Sequence, residues 1–169
     1  MPGGFPVAGK GRIVRVDIAV LGPLELRAGT GQTVTVAGAR LRTLVVLLAL
    51  DANRVVSADR LIDGVWGDDP PALAGNALQA LVSRLRRTAP ELNVEAAPNG
   101  YRLVIDPDRV DALRFVRVAH LDPGAALVLW RGELEFPEVA RADAVRLEEI
   151  RLGALKRQLD AELDPTPLG

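Results

Sequence analysis

The sequence contains no cysteine and only one histidine, His120, among its 169 residues. Without thiols the chain cannot form disulfides, thiolate zinc sites or a cysteine nucleophile. A single imidazole also excludes a metal centre built from several histidines and leaves little for histidine-based acid–base chemistry. We therefore predict that this chain is not an enzyme and has no catalytic residues, no metal and no cofactor.

Long apolar runs are also missing. The longest aliphatic run, residues 44–50, has seven residues, whereas a membrane-spanning helix needs about 20. The N-terminus lacks the apolar core of a secretory signal. The hydrophobic fraction of 49% and the charged fraction of 25% are typical of a folded globular chain. The sequence thus predicts a cytoplasmic protein with no membrane partner.

The net charge of −1 is small, but the charges are distributed unevenly. Residues 1–71 carry 8 basic and 7 acidic side chains, residues 72–105 carry 4 and 2, and residues 106–169 carry 9 and 13. Arginine supplies 19 of the 21 cations, and its planar guanidinium suits phosphates and guanine edges. A GC-rich genome would explain the arginine content equally well, so charge alone leaves the partner open.

The first third of the chain predicts a small sheet followed by two helices. Apolar residues alternate from Val14 to Val36 and are interrupted by Gly-containing turns, which indicates a short antiparallel meander. Residues 40–50 break this alternation and favour a buried helix. Ser57 is a suitable N-cap for a second helix that ends near Trp66. Residues 67–71 must form a loop because two prolines prevent the helix from continuing.

A third helix, predicted over residues 74–88, is amphipathic in an informative way. Its apolar side chains fall within about 100° of arc and predict a core-facing stripe: Leu78, Leu81, Val82 and Leu85. The opposite side carries amides, a hydroxyl and guanidiniums, with no acid among them: Asn76, Gln79, Ser83, Arg84, Arg86 and Arg87. Such groups bind base edges and phosphates in the major groove. An ordinary solvated face is the alternative, but the helix and turn before this segment favour a helix-turn-helix.

The rest of the chain predicts a hairpin and then a helical segment. Asn99-Gly100 between two strand-like runs is a strong hairpin signal, typical of the wing that follows a recognition helix. We expect Arg102 of this hairpin to reach an adjacent phosphate. Helices are predicted over residues 110–120, 125–130 and 141–163. The last one repeats leucine at intervals of three or four residues: Leu152, Leu155, Leu159 and Leu163.

Several motifs together resemble those of the Streptomyces antibiotic regulatory protein (SARP) family. In the first half they are ANRVVS at 52–57, LIDGVWGDDPP at 61–71, NALQALVSRLRR at 76–87 and GYRL at 100–103. In the second half they are VDALRF at 110–115, LWRG at 129–132 and RLEEIRL at 146–152. Each motif is weak alone, but the set is specific and covers nearly the whole chain from about residue 14.

The resemblance implies an α+β fold: an OmpR-type winged helix-turn-helix with an N-terminal antiparallel sheet and a C-terminal wing hairpin, followed by a small helical, TPR-like segment. The implied division is a flexible leader at 1–13, a DNA-binding domain at 14–105, an activation-domain-like segment at 106–164 and a tail at 165–169. Asn76, Gln79, Ser83, Arg84, Arg86 and Arg87 would face double-stranded DNA.

The resemblance also implies partners and a biological role. It implies a transcriptional activator of secondary metabolism that binds direct repeats as tandem protomers or a homodimer. RNA polymerase would be contacted by the loop Gly67, Asp68, Asp69, Pro70 and Pro71.

The sequence departs from the family pattern at two places. Glu95, Ala96 and Ala97 precede the hairpin turn, where relatives often place Thr or Arg, and these residues do not favour phosphate contact by the wing. The activation segment is also short, which fits either a piece of a longer regulator or a compact variant. The rival hypothesis is a protein-interaction module, in which the winged helix is a scaffold and the acidic helical tail binds a partner.

Overall fold

A computed structural model describes residues 15–164 of the chain. The predicted leader at 1–13, the strand residue Val14 and the predicted tail at 165–169 lie outside the described residues.

The described chain begins with a three-stranded antiparallel meander, as the alternating pattern predicted. Its strands are β1 (Val16–Ala19), β2 (Glu25–Ala28) and β3 (Thr33–Val34), in that order across the sheet. Ile18 opposes Leu26, which in turn opposes Val34, so one face of the sheet is apolar. Ile18 and Leu26 are buried there.

The helix α1 (Ala39–Leu50) follows the sheet and is buried along most of its length, from Leu44 to Ala49. Asn53 lies just after α1 and has a left-handed backbone conformation, φ 68°. Asn tolerates this conformation better than most residues. Its side-chain amide donates to the carbonyl of Ile105 at 2.7 Å and accepts from the Ile105 N–H at 3.1 Å. Asn53 thereby ties the end of α1 to the chain beyond the hairpin.

Two further helices follow the short strand β4 (Val56–Ser57). The Ser57 hydroxyl accepts from the Arg60 N–H at 3.1 Å and caps α2 (Ala58–Trp66), which confirms the predicted cap. The loop over residues 67–71 then leads to α3 (Ala74–Thr88), whose bounds match the prediction. Together α2, the loop and α3 form a helix-turn-helix.

A β-hairpin completes this half of the structure. Strands β5 (Asn93–Ala97) and β6 (Gly100–Val104) pair antiparallel, and β4 joins them in the order β4-β6-β5. The predicted hairpin is confirmed, but its turn is not formed by Asn99 and Gly100 as the sequence predicted. Pro98 and Asn99 form the loop, whereas Gly100 already pairs with Ala97 and is not among the described glycines with positive φ. A Cβ at Gly100 would overlap the Val56 carbonyl oxygen, so glycine is needed for close strand packing.

The C-terminal half is helical: α4 (Asp111–Val118), α5 (Pro123–Val128) and α6 (Arg141–Leu163), with short 3-10 turns at Pro107–Arg109 and Glu138–Ala140. The bounds of α6 match the prediction. The other two helices differ from it by about two residues at their ends. For α5 the reason is a missed cap, because the Asp122 carboxylate accepts from the Ala125 N–H at 3.0 Å and Pro123 occupies the first turn.

The helical half packs directly on the first sheet through Asp111. Its two carboxylate oxygens accept from the N–H groups of Val20 at 2.7 Å and Leu21 at 3.0 Å. Burial raises the pKa of this carboxyl above its usual value of 3.8, although these backbone hydrogen bonds and the Arg131 guanidinium act in the opposite direction. The Arg131 backbone N–H donates to the Leu21 carbonyl, and its guanidinium donates to the Pro23 carbonyl.

The helical half also contacts the helix-turn-helix. A Cβ at Gly64 of α2 would lie 3.0 Å from Val139 Cγ2, so Val139 fills a notch that glycine leaves open. Arg60 of α2 pairs with Asp143 of α6 at 3.4 Å. Because Phe115 and Leu147 share one buried cluster with Ile18 and Leu61, the hydrophobic core runs through both halves.

The leucine repeat of α6 lies largely on the surface. Leu152, Leu159 and Leu163 are 65%, 55% and 81% exposed, while the helix packs inward through Leu147 and Ala154. Across residues 15–164, no helix combines the length and hydrophobicity required to cross a membrane.

Candidate nucleic-acid interface

The helix α3 separates its apolar and polar side chains as the sequence predicted. Leu78, Leu81, Val82 and Leu85 are buried and fix the helix on the core. The predicted polar residues are all exposed: Asn76, Gln79, Ser83, Arg84, Arg86 and Arg87. Because the helix contains no acidic residue, its outer face combines hydrogen-bonding groups with unopposed positive charge along the helix.

Two of the three arginines on α3 are available to an external partner. In the described part of the chain, neither Arg84 nor Arg87 forms a salt bridge. Arg84 lies near the start of α1, because its Nη2 is 4.0 Å from the point where a Cβ on Gly38 would be. Both guanidiniums can therefore bind an anion or a base edge without first breaking an internal ion pair.

Arg86 differs because it already has an internal partner. Its Nη2 donates to the Val94 carbonyl at 2.8 Å, and its Nε donates to the same oxygen at 3.3 Å. Val94 belongs to β5, an edge strand of the hairpin sheet. Arg86 therefore ties α3 to the hairpin, a contact that the sequence did not predict.

Arg102 on β6 also has an internal partner. It lies directly across the hairpin from Glu95, and its Nη2 is 2.6 Å from Glu95 Oε2. Both side chains remain a little over two-fifths exposed. The predicted phosphate contact of Arg102 would therefore have to displace or share the carboxylate of Glu95.

The hairpin tip lies beside the first half of α3. A cleft of about 540 Å³ is lined by residues of three segments, namely the start of α2, α3 from Gly75 to Gln79, and the hairpin from Ala96 to Tyr101. The exposed face of α3 and the hairpin tip can therefore approach the same ligand. This is the arrangement that a helix-turn-helix with a wing needs for duplex DNA.

The predicted polymerase-contact loop is separate from these groups along the chain. Gly67, Asp68, Asp69 and Pro70 are exposed and Pro71 is half-buried. Gly67 has φ 59°, which allows the chain to leave α2 sharply. Immediately before the loop, the Trp66 ring lies under the Arg40 guanidinium at 5.9 Å. Among residues 15–164, no cluster of three or more potential metal ligands occurs.

Comparison with known proteins gives consistent matches. Residues 31–103 match the family described as "Transcriptional regulatory protein, C terminal". The chain is 35% identical to the transcriptional regulator RedD of Streptomyces coelicolor, covering 86% of this chain and 49% of RedD. It is 32% identical to the regulatory protein DnrI of Streptomyces peucetius, covering 88% of this chain and 65% of DnrI.

Among solved structures, the fold resembles Mycobacterium tuberculosis EmbR in complex with a low affinity phosphopeptide. The TM-score is 0.62 with 27% sequence identity, over 89% of this chain and 43% of EmbR. The fold class predicted from the sequence, a winged helix with a helical C-terminal region, is confirmed. The chain spans about half of RedD and about two-thirds of DnrI.

Proposed function

We propose that this chain, which is similar to SARP-type transcriptional regulators, binds DNA sequence-specifically and regulates transcription without catalysis. The observation that carries the proposal is the outer face of α3, which is exposed and free of acids, while the leucines behind it anchor the helix. Such a protein acts in the cytoplasm, where bacterial DNA is found.

The side chains of α3 divide into two expected roles. Asn76 and Gln79 can bind adenine through two hydrogen bonds, and Arg84 can bind guanine in the same way. We expect Arg87, in the last turn of the helix, to contact phosphate, which would add affinity without sequence preference. Arg86 and Arg102 contribute to DNA contact only as far as their internal partners allow.

The finer proposal is an activator that recruits RNA polymerase at direct repeats. Its support is the similarity to these regulators and the exposed loop over residues 67–71, which presents Asp68 and Asp69 to solvent. Replacing both aspartates by asparagine should reduce transcription in a reconstituted assay and leave DNA affinity unchanged. Equal losses of affinity and transcription would contradict a separate polymerase contact.

The first experiment is selection of bound oligonucleotides from a random pool, followed by polarisation titrations across salt concentrations. We expect one enriched motif, repeated at about one helical turn, and an affinity that falls steeply with salt because phosphate contacts release counterions. Arg84→Ala should relax preference at one base pair at a cost of about 1–3 kcal/mol. Binding that is absent, or that does not depend on salt, would contradict the proposal.

A protein-interaction module remains the second candidate, and the exposed leucines of α6 favour it. The two candidates differ in where a variant acts. Leu152→Ser with Leu159→Ser should abolish partner binding in the second case and leave DNA binding intact in the first. Point variants are preferable to removal of residues 106–169, because that segment contributes Phe115 and Leu147 to the shared core.

A further inference from the structure

The wing hairpin carries a matched pair of opposite charges, Glu95 on β5 and Arg102 on β6. The two residues are directly opposed in the strand register, and Arg102 Nη2 is 2.6 Å from Glu95 Oε2. In the described chain, the Nε of Arg102 is enclosed and has no hydrogen-bond partner. The guanidinium is thus bound through one nitrogen and retains an unused donor.

A carboxylate and a phosphate compete for the same donors of an arginine. The planar guanidinium binds either anion through charge-assisted hydrogen bonds of similar geometry. A partly exposed pair of this kind contributes little to stability, because solvent screens it. Glu95 can therefore be exchanged for another anion at a small cost, provided that the anion reaches Arg102.

The hairpin that carries this pair is held against α3. Arg86 of α3 donates to the carbonyl of Val94, the residue next to Glu95. This hydrogen bond holds α3 and β5 together. The hairpin tip and Gln79 line the same cleft. A duplex on the outer face of α3 would therefore pass close to the hairpin tip, and Arg102 lies on the strand that leads away from that tip.

We propose that Glu95 is a positioning residue that occupies Arg102 in place of DNA phosphate and thereby limits the affinity contributed by the wing. This inference rests on the DNA-binding function proposed above. Glu95 thereby sets the affinity and the salt dependence of DNA binding, and Arg102 contacts phosphate only when Glu95 releases it.

The test is a salt titration of DNA binding by the full chain and its Glu95→Gln variant. The glutamine keeps the shape of the side chain and removes its charge, so Arg102 becomes free to bind phosphate. The variant should bind more tightly at low salt, and its log–log salt slope should steepen by about one phosphate contact. Between about 50 and about 200 mM salt it should lose about threefold more affinity than the parent chain.

The matched control is Asp108→Asn, which breaks the similarly exposed ion pair between Asp108 and Arg117 and changes the net charge equally. If the gain in affinity arises only from the change in net charge, this control will reproduce it, and the proposal is then wrong. Thermal unfolding of both variants reports stability separately, since a purely structural pair would alter the melting temperature and not the salt slope.

A double-variant cycle identifies the route of the effect. In an Arg102→Gln background, Glu95→Gln should no longer steepen the salt slope, because no guanidinium is left to release. An undiminished effect would mean that Glu95 repels DNA directly, which overturns the proposal. If the parent chain itself binds no DNA, the proposed function fails; if it binds and Glu95→Gln matches it, only this inference fails.

Discussion

At the scale of single residues, neighbouring arginines of one helix have different surroundings. Arg86 and Arg87 are adjacent and both exposed, yet Arg86 donates to the Val94 carbonyl and Arg87 has no ion pair in the described chain. The sequence placed both on the DNA-facing side of α3, because a helical wheel gives direction but not the position of a distant strand. The two arginines should therefore differ in how much each contributes to the free energy of unfolding.

Arg86→Ala should lower the free energy of unfolding by about 1 kcal/mol, because it removes a charge-assisted hydrogen bond to an edge strand. Arg87→Ala should change the free energy of unfolding by less than about 0.5 kcal/mol. Urea denaturation of the two variants checks this prediction. Equal stabilities would show that the Arg86–Val94 contact contributes nothing in solution.

Two glycines near the interface should respond oppositely to alanine. Gly100→Ala should cost about 3 kcal/mol, because the new Cβ overlaps the Val56 carbonyl and forces β4 and β6 apart. Gly75→Ala should stabilise by up to about 1 kcal/mol, since it lies in α3 with open space around it. Thermal unfolding distinguishes the two. A stable Gly100→Ala variant would contradict the close packing of β6 on β4.

The sequence identified the exposed face of α3 but not the partners of its long side chains. Leucine periodicity fixes which side of a helix is buried, so Asn76, Gln79, Ser83 and Arg84 could be placed outward in advance. The sequence predicted a phosphate contact for Arg102 and identified Glu95 as a departure from the family pattern, but it did not pair the two residues. Their pairing depends on the strand register, which the misassigned Asn-Gly turn did not supply.

At the scale of elements, some helices have a clear capping signal at their start and others do not. Ser57 caps the start of α2, and Pro70 and Pro71 lie in the loop that follows this helix. The start of α5 was missed because Asp122-Pro123 was not recognised as a cap followed by a first-turn proline. Capping chemistry thus located the start of α2 and explains the missed start of α5, whereas α3 and α6 were located without a side-chain cap.

The helix α6 shows what periodicity cannot decide. Its leucine repeat marks one apolar stripe, but the structure packs the helix through another, which includes Leu147 and Ala154. Spacing identifies apolar faces and does not tell which of two faces finds a neighbour. Which face of α6 is buried depends on how the 3-10 turn Glu138–Ala140 orients the helix. That turn packs against α2 through Val139.

This contrast predicts unequal effects of two leucine-to-alanine substitutions in one helix. Leu147→Ala should cost about 3 kcal/mol, because it removes buried methyl groups and leaves a cavity. Leu159→Ala should cost less than about 0.5 kcal/mol, since that side chain is mostly in solvent. Denaturant titrations of the isolated variants measure both. Similar losses would indicate that Leu159 is buried in solution, for example against another molecule.

At the scale of the whole molecule, the two halves are joined by a polar contact at the surface of a shared core. The Asp111 carboxylate accepts two backbone N–H groups from the end of the first sheet, about 90 residues earlier in the chain. The sequence contained no signal for this contact, because aspartate at the start of a helix is ordinarily explained by the helix dipole. Its consequence is a link between protonation and folding.

Asp111 should make stability depend on pH in a defined direction. Its folded-state pKa is raised above 3.8 mainly by burial, so the native state holds this proton at pH values where the unfolded chain has lost it. The contribution of Asp111 to the free energy of unfolding is therefore fully present below pH 3.8 and is lost as pH rises through the raised pKa. Asp111→Asn removes this titration and leaves the other carboxylates in place.

The measurement is the difference in free energy of unfolding between the parent chain and Asp111→Asn, from urea titrations at a series of pH values. The parent's advantage should be largest in acid, decline as pH rises above 3.8 and become constant once Asp111 is ionised. A difference that instead grows with pH would mean that the two N–H donors outweigh burial and lower the pKa of Asp111. Asp108→Asn, at an exposed carboxylate close by in the chain, is the control for general charge effects.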